Sequence, residues 1–320
     1  FPLTKNEEGE IKSGFFSKGS HEVVVNERCP IHHQLINRIA EKTIKLLNRY
    51  QDITVYDEKD HEGLLRHLLI RVGVCTNQAT LTFVTRKNKF PHIKEISETL
   101  ADEIPELVGV IQNVNDLKTN VILGDRFKLI RGREKLTDYV GHLKYKISPE
   151  SFFQTNTLQT KKLYDVVMDY ADLNGKDFVI DCYCGIGSIA LYLAGQAGKV
   201  YGIEINKKAV ENARENAIIN KIDNTTFYQG DVKDKVRELI KNDVYPDLVI
   251  FDPPRKGLKE DMINSMLDSK PNRIIYVSCN PTTLARDLEK FSSEYDIKEV
   301  QPIDMFPQTY HIESVTLLER

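Results

Sequence analysis

Short, unbroken apolar runs recur through the second half of the chain, each closed by a polar loop: Phe178-Val179-Ile180, Val200-Tyr201-Gly202-Ile203, Leu248-Val249-Ile250-Phe251 and Ile274-Ile275-Tyr276-Val277. Helix-like stretches follow the first two, at 189–193 and 207–219. Runs that are apolar at every position belong to strands covered on both faces, and strand–helix alternation builds a parallel sheet with helices on either side. The first half has another rhythm. An amphipathic stretch at 34–49 predicts a helix, and 68–74 and 80–85 predict strands, an α+β pattern. The expected architecture is therefore α/β with two domains: a smaller α+β domain over 1–140 and a Rossmann-like, doubly wound domain over 141–320, joined near 145–149.

A length of 320 residues suits two separate cores, and 41% hydrophobic with 28% charged residues is an ordinary globular composition. No apolar stretch approaches the roughly 18 to 20 residues that cross a bilayer, and no charged-then-apolar leader opens the chain. Five cysteines form no disulfide framework at this length. The expectation is a cytoplasmic protein with no membrane and no obligate protein partner. The chain opens on Phe1 in a polar segment that reads as mid-protein, so residues upstream are expected. A net charge of −3 excludes a general basic coat, so nucleic acid would have to meet local clusters such as Arg86-Lys87-Asn88-Lys89 or Arg131, Arg133 and Lys135.

Three polar loops follow strand-like runs: Asp181-Cys182-Tyr183-Cys184-Gly185-Ile186-Gly187-Ser188, Asp252-Pro253-Pro254-Arg255 and Ser278-Cys279-Asn280-Pro281. Loops at the carboxyl ends of parallel strands converge on one sheet edge, which makes Cys279 a candidate nucleophile. Gly185-x-Gly187 lets backbone approach a ligand. With Ala190 it satisfies G-x-G-x-x-A, and Glu204 lies about 20 residues on, so a dinucleotide-dependent oxidoreductase stays in play. Asp181 favours a different ligand: a carboxylate there suits a cationic ammonium or sulfonium and repels a pyrophosphate. S-adenosyl-L-methionine meets that requirement.

These motifs, with Gly202-Ile203-Glu204 and Gln229-Gly230-Asp231, resemble those of class I S-adenosylmethionine-dependent methyltransferases. Ser148-Pro149-Glu150-Ser151-Phe152-Phe153-Gln154-Thr155-Asn156, the run from Val277 to Asp287, and His311-Ile312-Glu313-Ser314 resemble the RNA 5-methyluridine methyltransferases across nearly the whole chain. The Phe-Phe-Gln-Thr-Asn form is closest to the bacterial 23S rRNA uracil-C5 enzymes of Gram-positive type. The resemblance implies Cys279 as nucleophile at uracil carbon 6 and Glu313 as the base that removes the carbon 5 proton. It implies Gln154, Asp181, Tyr183, Gly185, Gly187, Glu204, Asp231 and Asp252 around the cofactor. Phe152 (or Phe153), Gln154, Asp252 and Arg255 would meet the target base, and 23S rRNA is the expected partner. Transfer RNA is the alternative substrate. Cys29-Pro30-Ile31 matches the end of a cysteine-rich stretch in the family, so an iron–sulfur cluster is implied only if an upstream cysteine-rich segment is present; within these 320 residues no metal site is expected.

Each residue also has a plainer reading. A strand-end cysteine is more often packing, a late glutamate is usually solvated, Phe152 and Phe153 suit a core, and Asp252 could cap a turn. A non-catalytic RNA-binding factor would keep the basic clusters without needing Cys279. The Ser-Cys-Asn-Pro setting and the joint presence of Glu313 favour the enzyme.

Overall fold

A computed structural model describes residues 1–320, which divide into two units: Phe1–Asp138 with Ile147–Glu150, and Tyr139–Lys146 with Ser151–Arg320. In the first unit β1 (Leu3–Lys5), β2 (Ile11–Phe16) and β3 (Val23–Val25) form an antiparallel sheet, followed by α1 (Gln34–Leu47). The strands β4 (Leu65–Gly73), β5 (Gln78–Thr85), β6 (Leu107–Val114) and β7 (Arg126–Gly132) pair in chain order, and α2 (Ile93–Glu103) makes the crossover between the parallel pair β5 and β6. Leu35, Ile39 and Leu47 of α1 and Ile96 and Leu100 of α2 share a core with Leu65, Leu68, Leu81 and Phe83 of the sheet. The helix expected over 34–49 ends at Leu47. The Asn48 side chain there turns to the backbone of Ile11, accepting its N–H at 2.7 Å and donating to its carbonyl at 3.0 Å.

One end of the four-stranded sheet is tied by buried polar side chains. Arg66 donates to the carbonyls of Asn115, Leu117 and Thr119 at 2.7–3.0 Å and lies 4.5 Å over the Tyr56 ring. Asn115 donates to Val121 and Ile122, Asn113 to Gly124 and Arg126, and Gln112 to the carbonyls of Lys87 and Asn88. The connections after β5 and β6 thus have their backbones fixed from inside while Leu117, Val121 and Ile122 stay exposed.

The segment expected to be a linker is a strand. β8 (Leu136–Val140) pairs with β9 (Leu143–Ile147), in which Leu143, Tyr145 and Ile147 are buried between two partly exposed lysines. That period-two alternation outweighs the loop-like appearance of the following Ser-Pro. Tyr145 is fully buried and donates to the Ser188 carbonyl at 3.1 Å.

The second unit continues with α3 (Thr157–Ala171), β10 (Phe178–Cys182), α4 (Ser188–Ala194), β11 (Lys199–Glu204), α5 (Lys207–Ile219), β12 (Thr225–Gln229) and α6 (Val232–Lys241). It closes with β13 (Leu248–Phe251), α7 (Glu260–Ser269), β14 (Arg273–Ser278), α8 (Pro281–Phe291), β15 (Asp296–Ile303) and β16 (Glu313–Glu319). The strand order is β12-β11-β10-β13-β14-β16-β15, and the first five are parallel. The expected doubly wound parallel sheet is present, with an antiparallel pair added at one edge. β16 runs antiparallel to both β14 and β15, so its first residue, Glu313, lies at the edge where the parallel strands end. No helix is long and apolar enough to cross a membrane.

Candidate active site

Strand order reverses between β10 and β13, and where successive connections leave in opposite directions the loops part to open a crevice at the carboxyl ends of the strands. Asp181 sits one residue before the end of β10, buried to 1% exposure. Its Oδ2 accepts the Ala190 N–H at 2.9 Å, while Oδ1 is buried without a partner. Burial first, and Asp252 second, hold its carboxyl well above the ordinary range, against the pull of the Ala190 N–H. The loop then turns through Tyr183, Gly185 and Gly187, all at positive φ (66°, 54° and 79°). A Cβ at Gly187 would stand 2.8 Å from Phe227, so glycine is needed there for packing; one at Gly185 would meet no protein atom within 4 Å. Glu204, ending β11, accepts the N–H of Gly185 at 3.2 Å and of Asn206 at 2.7 Å. Asp231 caps α6 through the Lys233 N–H at 3.0 Å.

These features fit a cationic, ribose-bearing ligand. Asp181 offers a buried acceptor atom that has no donor, Glu204 keeps lone pairs beyond the two N–H groups it takes, and the space beside Gly185 is open. Cys182 and Cys184 are buried core residues. Tyr183 packs partly against the apolar cluster that includes Val232 and Met262.

The nucleophile candidate lies two strands away. β14 and β16 are in register to the pair Ser278–Ser314, so Cys279, one residue past the end of β14, comes next in line with Glu313, the first residue of β16. Asn280 caps α8 through the Thr282 N–H at 3.1 Å, with Pro281 in the first turn, so Cys279 sits between strand and helix and is partly buried. Burial pushes its thiol up, as do Glu313 and then Asp252, with Arg255 pulling the other way. Glu313, 3% exposed and without a hydrogen bond from any side chain, is pushed up to about 8 by burial and then Asp252, against Arg255. Asp252, partly buried, is pushed up to about 7 by loss of solvent. The Arg255 guanidinium stands 3.4 Å from the His311 ring.

The raised Glu313 carboxyl gives a stability signature. Folded protein holds this proton to about pH 8, whereas an unfolded glutamate releases it near 4.5. The stabilisation is therefore present at low pH and lost as pH rises through that window, by on the order of 5 kcal/mol for a displacement of about three and a half pH units. Melting temperatures of wild type and Glu313→Gln measured from pH 5 to 9 should diverge, the variant becoming the more stable toward pH 8. Parallel curves would mean that the carboxyl ionises freely.

Gln154 is 6% exposed and its carboxamide has no hydrogen-bonding partner within the protein. Phe152 is 67% exposed, and the Phe153 ring lies 5.8 Å from that of Tyr145. Tyr164 is not singled out by the sequence, and its burial beside the sheet is the one feature that sets it apart. It is buried on α3, and its phenol is pushed up chiefly by burial and also by Asp252, Asp181 and Glu313. A tyrosine inside a helix carries no motif that marks it. Cys29 is buried, with its backbone paired to the Asn37 carboxamide at 3.2 and 2.9 Å, and no group of three metal-ligating side chains converges anywhere.

A carboxyl-edge crevice of this topology, with an acid and Gly-x-Gly at its first loop, defines a class I S-adenosyl-L-methionine-dependent methyltransferase, and the comparisons agree. The family model described as tRNA (uracil-5-)-methyltransferase matches residues 5–320, and the chain belongs to that family. An uncharacterized RNA methyltransferase of Oceanobacillus iheyensis is 45% identical over 312 residues, 97% of this chain and 68% of that protein. One from Enterococcus faecalis is 43% identical, covering 98% and 68%. The solved tRNA (uracil-54, C5)-methyltransferase of Pyrococcus abyssi, in complex with S-adenosyl-L-homocysteine, superposes with a TM-score of 0.80 at 32% identity, covering 99% of this chain and 74% of that one.

Proposed function

We propose that this protein methylates carbon 5 of uridines in 23S ribosomal RNA, through addition of Cys279 to carbon 6 of the base. The observation that carries the covalent mechanism is the β14–β16 register, which brings a thiol just past the end of β14 into line with a buried carboxyl at the start of β16, at the crevice edge. Carbon 5 of uracil is a weak nucleophile. Addition of the Cys279 thiolate at carbon 6 converts the ring to an enolate rich at carbon 5. S-adenosyl-L-methionine, when bound, supplies the electrophilic methyl group. Glu313 then takes the carbon 5 proton, and expulsion of the Cys279 thiolate restores the ring double bond. Arg255 opposes the raised thiol value and offers positive charge to the enolate.

Asp181, Tyr183, Gly185, Gly187, Glu204 and Asp231 would hold the cofactor, with Gln154 and Asp252 between it and the base. Phe152, exposed beside them in sequence, is a stacking surface for a base turned out of the RNA. The first unit serves as an RNA contact through Arg131, Arg133 and Lys135 and through Arg86, Lys87 and Lys89.

The ribosomal reading is supported by the Phe152-Phe153-Gln154-Thr155-Asn156 form. A transfer RNA substrate is favoured by the named activity of the Pyrococcus abyssi enzyme. Incubating the protein with labelled methyl donor and unmodified 23S rRNA or tRNA, then mapping labelled uridines by mass spectrometry, decides between them. Label at carbon 5 of ribosomal uridines is expected. Label in tRNA alone would replace the substrate, and label in neither would remove the reading.

A further inference from the structure

The segment 255–258, which begins with Arg255, is bound along its whole length to α8, the helix that starts immediately after Cys279. The Arg255 carbonyl accepts from Asn280 Nδ2 at 3.0 Å and from Thr283 Oγ1 at 3.3 Å. Arg286 Nη2 donates to the carbonyls of Lys256 at 2.9 Å and Leu258 at 3.3 Å. The Leu258 N–H donates to Asp287 Oδ2 at 2.8 Å, and the same oxygen accepts the Tyr276 hydroxyl of β14 at 2.8 Å. Asp287 Oδ1 takes both Nε and Nη2 of Arg286, at 2.8 and 2.7 Å. The two surfaces are flush. A Cβ at Gly257 would stand 2.5 Å from Asp287 Oδ2, 2.7 Å from Arg286 Nη2 and 3.1 Å from Thr283 Cβ.

Most of this network is not needed to build the helix. α8 already has its cap in Asn280 and its buried face in Leu284, Leu288 and Phe291. Asp287 is 1% exposed, and burying a carboxylate is costly unless its hydrogen bonds are satisfied. Here every one of them goes to the 258 backbone, to β14, or to the arginine that grips 256 and 258. What the arrangement fixes is the place of the Arg255 backbone relative to the first turn of α8, and hence to the residue before it.

We propose that Arg286 and Asp287 are positioning residues, a latch on α8 that holds the 255–258 segment so that the Arg255 guanidinium stays beside Cys279. The inference rests on the reading of Cys279 as the nucleophile. The charged groups acting on that thiol are Glu313 from β16 and Asp252 and Arg255 from the loop after β13, and Arg255 is the only one among them that favours the thiolate. A loosened latch leaves the thiol facing the two acids with its counter-ion displaced.

The test needs neither RNA nor cofactor, so it separates this inference from the functional reading. In a Cys75→Ser background, which removes the exposed thiol, the rate of iodoacetamide alkylation at Cys279 is followed by mass spectrometry from pH 7 to 11.5, a window wide enough for a thiol already pushed up. Arg255→Gln should move the midpoint upward, by about one pH unit for a lost neighbouring charge. Arg286→Gln and Asp287→Asn should each reproduce most of that movement, and Arg255→Gln combined with Arg286→Gln should add nothing to Arg255→Gln alone. Arg286 is half exposed and Thr283 partly so. If Asp287→Asn does not fold, Arg286→Gln and the milder Thr283→Val carry the test. A lowered melting temperature with an unmoved midpoint, or full additivity in the double variant, would reduce the network to a structural brace and overturn the proposal. Methyl transfer by Cys279→Ala would instead remove the reading on which it rests, and the alkylation midpoints would still report whether the latch holds Arg255.

Discussion

Cys279→Ala is expected to form no covalent RNA complex and to transfer no methyl group, whereas Glu313→Gln is expected to form the adduct, methylate carbon 5 and stall. The two residues act at different stages. The thiol must add before carbon 5 becomes nucleophilic, and the carboxyl is needed only once the methylated adduct carries a proton to lose. Denaturing gels with labelled RNA should show an accumulated protein–RNA species for Glu313→Gln alone, with turnover reduced about 10²- to 10⁴-fold, the range for loss of a general base. The raised positions of both groups set the pH dependence. Free protein holds Glu313 protonated below about pH 8 and Cys279 largely as the thiol, so wild-type turnover should climb from pH 6.5 to beyond 8. Efficient methylation by Cys279→Ala would overturn covalent catalysis. Normal turnover by Glu313→Gln would hand the proton to another group and leave only the thiol's part.

Gly185→Val should abolish S-adenosylmethionine binding, seen by calorimetry as a loss of at least about 100-fold in affinity, while the protein stays folded. Gly185 has φ of 54°, where a β-branched residue is strained by about 1–2 kcal/mol, yet its Cβ would meet nothing in the protein itself. The added bulk therefore disturbs whatever approaches the loop and its bond to Glu204, more than the core. Gly187→Val is a poorer test because Phe227 stands in the way. Unchanged affinity in folded Gly185→Val would place the cofactor elsewhere.

The parallel strands of the second unit were legible because burial on both faces leaves runs such as Val249-Ile250-Phe251 with no polar interruption. The loops that follow them were legible as chemistry, since their residue types recur in a known order. β9 was hidden because its tyrosine and lysines, next to Ser148-Pro149, read as a linker. β15 gives no pattern, with seven of its eight residues exposed. Its pairing with β16 rests on backbone hydrogen bonds, to which side-chain periodicity is blind. The antiparallel direction of β16, which brings Glu313 to the crevice edge, was likewise absent from the local pattern. The α8 latch escaped for another reason: Arg286-Asp287 reads as a neighbouring charge pair on a helix surface, and only the approach of Gly257 reveals what it grips.

The internally tied connections of the first unit separate two kinds of inheritance. Carbonyls held by Arg66, Gln112, Asn113 and Asn115 keep the 87–88 and 115–126 backbones in place whatever side chains project outward. Leu117, Val121 and Ile122, exposed by 64, 63 and 47%, can then drift during evolution at little expense in stability, since surface changes of this kind usually lie within about 0.5 kcal/mol. The four anchors have no such freedom, because their own polar groups are buried and replacing any one releases the carbonyls that it holds in place. A lineage could therefore rewrite what this face presents, one outward residue at a time, on an unchanged frame.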